Sequence, residues 1–103
     1  MEKCKITVLK TLLLEDMAKE YGVKDIGKCP FHTEGQVFYG DYTKPEGLCD
    51  EAWKAIFQYV FTLSHYNGPL FTGDWIEKPG VAICCCSDGI RPVVFKIESM
   101  IGK

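Results

Sequence analysis

Cys84-Cys85-Cys86 runs straight into Ser87-Asp88-Gly89 and holds half of the six cysteines in the chain. A thiol can be a nucleophile as its thiolate, a ligand for a soft or borderline metal, or a compact packing group, so position decides which. Val81-Ala82-Ile83 leads into the triplet and Pro92-Val93-Val94-Phe95-Lys96-Ile97 leads out. That pattern reads as a β-hairpin with Asp88-Gly89 as its tight turn. Side chains alternate along a strand, so Cys84 and Cys86 share one face and Cys85 takes the other. With one face in the core, at least one thiol is left for a pocket, a second packed layer or a subunit interface.

Cys29-Pro30-Phe31-His32 has the Cys-x-x-His spacing that lets two ligands reach one metal from a loop. A tetrahedral site needs two more donors, and the set expected is Cys29, His32, Cys49 and Cys85 around a transition metal such as zinc. The bland alternative, with Cys29 packed as a small hydrophobe and His32 exposed, is favoured for the pair taken alone. Redox chemistry is a further option, because a Cys85-Cys86 vicinal disulfide would be strained and easily reduced. Arg91 and the turn amides would favour a thiolate there. Cys49 directly precedes the longest helix, where the positive end of the helix activates a thiol. His32 is free to approach it as a base. His65 sits at the far end of that helix, on the order of 20 Å away, and reads as a cation or cap for its C-terminus. Asp88 and Arg91 flank the hairpin tip as a ligand-binding pair or a turn-stabilising one. No Gly-rich phosphate loop and no Ser/His/Asp arrangement is visible.

The elements that must position these groups are short. Cys4, Ile6 and Val8 alternate with Lys3, Lys5 and Thr7, a half-buried strand. A short helix is expected from about Glu15, with Met17, Ala18 and Tyr21 on one side and Gly22 as its stop. Residues 22–36 form a loop carrying Cys29 and His32, Gln36 to Gly40 a strand, and residues 41–47 a second loop. The longest helix runs from about Asp50, its expected N-cap, to Ser64. Trp53, Ile56, Phe57, Val60 and Leu63 give it a broad apolar face, more than one small sheet needs. Phe71 to Pro79 is a loop carrying Trp75, and the hairpin ends the chain. Trp53, Trp75, Tyr39, Tyr42 and Phe71 are expected in the core, as aromatic residues of a small domain usually are. The order β-α-β-α-β-β lacks the alternation of a doubly wound fold. It predicts a small single α+β domain: about four mostly antiparallel strands, the long helix packed across the sheet, and one short helix.

At 103 residues, 47% hydrophobic and 25% charged, the chain suits one soluble domain that can bury a core without staples. A formal net charge of −2 and the lack of any Lys/Arg run argue against nucleic-acid and anionic-membrane surfaces. Residues 55–63 form the most apolar window, too short to span a bilayer. The N-terminal stretch has no apolar region or cleavage site of an export signal, which points to a reducing cytoplasm and free thiols.

The stretch Cys85-Cys86-Ser87-Asp88-Gly89-Ile90-Arg91-Pro92-Val93-Val94-Phe95-Lys96-Ile97-Glu98 resembles a family of small uncharacterised prokaryotic proteins. Their pattern is close to Cys-Cys-x-Asp-Gly-x-Arg-Pro-Val-x-Phe-Lys. The resemblance extends to Lys3-Cys4-Lys5-Ile6-Thr7-Val8, the Cys29-Pro30 loop with Gly35, and Gly47-Leu48-Cys49-Asp50-Glu51-Ala52-Trp53. It implies a cytoplasmic, single-domain protein and names no reaction. It also implies that Cys49, Cys85, Cys86, Asp88 and Arg91 form one constellation, with Cys84 an extra thiol.

Three readings follow. The first is a binding protein whose thiols line a pocket for a metal ion or a small ligand, with Cys49, Cys85, Cys86, Asp88 and Arg91 as ligand-binding residues. The second is a thiol-dependent redox protein or enzyme with Cys49 or Cys85 as the reactive group. The third is a homo-oligomeric interaction module built on the wide helix face and the hairpin edge. All depend on the loop near Cys29, the start of the long helix and the last turn meeting in space.

Overall fold

A computed structural model describes residues 1–103. The elements are β1 (Cys4–Thr11), α1 (Glu15–Tyr21), β2 (Val37–Gly40), α2 (Asp50–His65), β3 (Val81–Cys85) and β4 (Val93–Glu98). The strands make one sheet in the order β2-β1-β4-β3, antiparallel at every pairing. This is the α+β arrangement expected, with α2 laid across one face. The molecule measures 47 × 32 × 20 Å, and its thinnest dimension is about that of one helix on one sheet.

Alternation in the strands and helical spacing in α2 aim their apolar sets at each other. Cys4, Ile6 and Val8 of β1, Val93, Phe95 and Ile97 of β4, and Ala82 of β3 are buried on the sheet's inner face. Ala52, Ile56, Val60 and Leu63 come down on them from α2. Each large side chain fully buried here contributes about 1.5–3 kcal/mol from lost apolar exposure. The Cys4 thiol also donates to the Val60 carbonyl at 3.3 Å, which seats α2 over the sheet's centre. The opposite face of the sheet carries no helix, and Val37, Tyr39, Ile83 and Cys85 are exposed on it or at its edges.

Some expectations need correction. The β3–β4 connection is not a two-residue turn: it runs from Cys86 to Pro92, and Gly89 does not take a positive φ. Asp88 folds the chain instead, its Oδ1 accepting the backbone N–H groups of Ile90 (2.8 Å) and Arg91 (2.9 Å). Helix α1 forms where predicted but buries no residue, and Met17 and Tyr21 stay exposed. Gly22 does stop it, through space and not handedness: at φ −77° an added Cβ would lie 2.6 Å from the Ala18 carbonyl oxygen. The N-cap of α2 is Cys49, not Asp50, whose carboxylate pairs with Lys44 at 3.3 Å. Among the aromatics, Trp53 packs against the core, whereas Tyr39, Tyr42, Phe71 and Trp75 are exposed. Trp75 stacks on Phe71 at 4.4 Å between ring centres, on the loop that follows α2.

A bulge in β1 between Val8 and Lys10 leaves Leu9 unpaired against β4 and turns the strand's end. Beyond it Leu12 N–H donates to the Pro92 carbonyl (3.0 Å) and Leu14 N–H to that of Ile90 (2.9 Å). The chain after β1 thereby pins the base of the β3–β4 connection, which carries Asp88 and Arg91.

Phe95→Ala is expected to lower unfolding free energy by about 3–5 kcal/mol in urea titration, since it empties the centre of the core. Thr7→Val is expected to raise it by about 1 kcal/mol, because Thr7 Oγ1 is buried with no hydrogen-bond partner. A loss of stability in that variant would show that the hydroxyl is satisfied.

Candidate functional site

Three segments distant in sequence meet at the start of α2. The first is the loop carrying Cys29 and His32. His32 is only 4% exposed, its ring set edge-on between Phe38 (5.7 Å) and Phe95 (5.8 Å). Gln36 Oε1 accepts from Thr33 N–H at 3.0 Å and lies 2.9 Å from His32 Nδ1. A carbonyl oxygen only accepts, so Nδ1 carries the proton and donates. That leaves the Nε2 lone pair to accept the backbone N–H of Cys49 at 3.2 Å. One ring thus ties the loop to the helix cap through both nitrogens.

The helix cap is the second segment. Cys49 has extended backbone angles, and its carbonyl accepts the first helical bond from Trp53 N–H. Lys44 holds the approach by donating to the Leu48 carbonyl at 2.6 Å while it pairs with Asp50. Asp50 and Glu51 put acids in the first turn, as the helix's positive end favours.

The last segment is the β3–β4 connection. Cys86 N–H donates to the Val93 carbonyl (3.1 Å), and Val93 N–H donates to Cys86 Sγ (3.3 Å). The sulfur takes the place of a carbonyl in that ladder rung. Asp88 Oδ2 accepts from Arg91 Nε at 2.9 Å. The backbone N–H groups of Arg91 and Ile90, and then the guanidinium, hold the Asp88 carboxyl below the usual carboxylate range. Arg91 is raised in turn, chiefly by its hydrogen bond to Asp88 and also by its proximity to Cys29 and Cys86. Its Nη groups make no hydrogen bond within the chain, which leaves the outer edge of the guanidinium free.

Between the segments lies a cavity of about 320 Å³ lined by Cys29, His32, Cys49, Glu51, Ala52, Cys86, Ser87, Asp88, Arg91 and Val93. Of the residues expected to bind a ligand, Cys49, Cys86, Asp88 and Arg91 therefore come together, and Cys29 joins them. Cys85 does not. It pairs with Val94 on the outer face and is exposed, so the sheet separates it from the cavity. The expected metal set of Cys29, His32, Cys49 and Cys85 is not assembled: Cys85 faces away and both ring nitrogens of His32 are engaged. No three His, Cys, Asp or Glu side chains anywhere in the chain are grouped to hold a metal ion. Nor is His32 the exposed residue of the bland alternative. His65 behaves as expected, with Nδ1 2.9 Å from the Phe61 carbonyl near the helix end and Nε2 2.9 Å from Tyr42 Oη.

No family model, curated protein or solved structure matches the chain.

Sequence reasoning missed Gln36, the residue that sets the tautomer of His32. Its signal was a short polar pair, His32 and Gln36, spanning a glycine turn in which Gly35 takes φ 93°. Ala52 and Val93, the apolar lining, carry no chemistry that would mark them as site residues in sequence.

The remaining thiols are sorted by burial. Desolvation, with Asp41 nearby, pushes the Cys4 thiol up to about 11. Desolvation, with Cys85 adjacent, pushes Cys84 up to about 12. Iodoacetamide at about pH 8 is therefore expected to modify Cys85 readily and spare Cys4 and Cys84 until the protein unfolds. Early labelling of Cys84, seen by peptide mass mapping, would contradict this packing. His32→Phe fills the space but leaves the Cys49 N–H without its acceptor. It is expected to cost about 1–3 kcal/mol and to speed hydrogen exchange at that amide. Because the Asp88 carboxyl titrates lower folded than unfolded, its contribution is full above the ordinary carboxyl range and fades as pH falls through its folded value. Wild type and Asp88→Asn should thus differ in unfolding midpoint at neutral pH and converge well below about pH 4.

Proposed function

We propose that the protein binds a small ligand in this cavity, its apolar body against Ala52, Val93 and the thiols and a planar anionic end, such as a carboxylate, on the free edge of Arg91. The observation that carries the reading is the convergence of Cys29, Cys49, Cys86 and Arg91, from three segments, on one walled space. Structural packing needs no such arrangement, and a guanidinium fixed by Asp88 through Nε presents its remaining donors in a plane that matches a carboxylate. At about 320 Å³ the space is at the small end of ligand pockets and suits a single substituted ring.

Amide chemical-shift mapping with phenylacetate, and with its neutral amide as control, tests this. Shifts should be confined to residues 29–36, 49–53 and 86–93. The amide should bind about tenfold more weakly or worse, as should phenylacetate to an Arg91→Met variant, since each loses a charge-assisted bidentate contact. Shifts scattered over the surface, or equal affinity for acid and amide, would end the proposal.

A further inference from the structure

The six thiols are not equivalent, and their surroundings single out one. Cys4 is buried in the core and Cys84 packs half-buried against it, both with their thiols pushed up, and Cys85 lies across the sheet from the cavity. Cys29, Cys49 and Cys86 face the cavity. Of these, only the Cys86 sulfur accepts a backbone hydrogen bond, from Val93 N–H at 3.3 Å. Sulfur is a weak acceptor as a thiol and a better one as an anion, so the strand edge offers the donor that a thiolate would use. The same bond fixes the side chain against the cavity wall, and Arg91 stands close enough for charge on Cys29 or Cys86 to act on it, so the backbone bond is what sets Cys86 apart.

We infer that Cys86 is a thiol-exchange site, which takes up one half of a low-molecular-weight disulfide whose carboxylate is held by Arg91. This rests on the carboxylate-binding reading of the cavity and adds the reacting atom and the substrate class. In the exchange the Cys86 proton leaves to solvent and the sulfur attacks the nearer sulfur of the disulfide. The substrate S–S bond breaks as the new S–S bond to Cys86 forms, and the second half departs as a thiolate with the bonding electron pair. Arg91 holds the incoming carboxylate and faces the negative charge passed between the sulfurs. The disulfide is the only oxidant required. Cys85, exposed and outside the cavity, is the built-in comparison for an unassisted thiol.

The test uses dithiobis(nitrobenzoate), a disulfide of two aromatic carboxylates, followed by the colour of the released thiolate. Peptide mass mapping of the intact chain locates the mixed disulfide, so no variant has to fold. Cys86 is expected to react first, about tenfold or more faster than Cys85, and to be slowed by phenylacetate. Neutral dithiodipyridine should lose most of that preference for Cys86 over Cys85. Cys86→Ser should lack the fast phase, and Cys85→Ser, outside the cavity, should keep it. First labelling at Cys29 or Cys49, or Cys86 reacting no faster than Cys85, would overturn the inference. If phenylacetate still binds the cavity in that case, the ligand reading stands without it. Fast labelling of Cys86 that phenylacetate neither slows nor accompanies with binding would support exchange at Cys86 and overturn the carboxylate reading.

Discussion

The site depends on one buried imidazole. His32 donates from Nδ1 to Gln36 and accepts at Nε2 from the Cys49 amide, and no other side-chain bond joins the Cys29 loop to the start of α2. Residues 22–36 include no regular element, and their backbone bonds to β1, Gly35 N–H to the Val8 carbonyl and Val8 N–H to the Gln36 carbonyl, lie at the end of the segment away from Cys29. A neutral ring with one donor and one acceptor satisfies both neighbours at once, and Phe38 and Phe95 exclude the water that would compete. Any other tautomer leaves a donor facing a donor at Cys49.

Around that link the fold supplies rigidity at low expense of chain. A single sheet and a single long helix bury their apolar faces against each other, and the cavity opens where α2 begins beside the end of β3 and the start of β4. The site therefore sits at the rim of the core, with Ala52 and Val93 belonging to both. The arm after β1 and the Asp88 turn hold the third side in place through Leu12, Leu14, Ile90 and Pro92. Backbone contacts fix the walls while thiols and a guanidinium face the space between them.

Much of this was legible in the residues. Period-two alternation in β1 and β4 and helical spacing in α2 specify the sheet, the helix and the faces they bury. The same alternation places Cys84 and Cys86 inward and Cys85 outward. The meeting of the Cys29 loop, the start of α2 and the last turn was a condition of the site and not a deduction from spacing, and the cavity shows it for Cys29, Cys49 and Cys86. What spacing does not encode is which groups satisfy one another. A Cys-x-x-His pair reads as a metal knuckle until the partner of each ring nitrogen is known. Gln36 is an ordinary polar residue in sequence and decides that question in space. Asp88-Gly89 likewise reads as a tight turn, whereas the carboxylate's bonds to Ile90 and Arg91 set a longer one. Including Cys85 in the constellation came from the signature around it, and strand alternation alone would have excluded it.

The arrangement separates the thiols by physical chemistry and not by sequence position: Cys4 is buried in the core and Cys84 half-buried against it, Cys85 is open to solvent, and three face a cavity beside a fixed cation. The place of Cys29 in that division holds only while His32 keeps the loop against the helix cap. The most direct test is the tautomer of His32, read from its imidazole ¹⁵N shifts and from scalar coupling across the bond to the Cys49 amide. The structure requires a neutral ring protonated at Nδ1, with coupling from Nε2 to the Cys49 N–H. A ring protonated at Nε2, or one exchanging between tautomers with no such coupling, would contradict it.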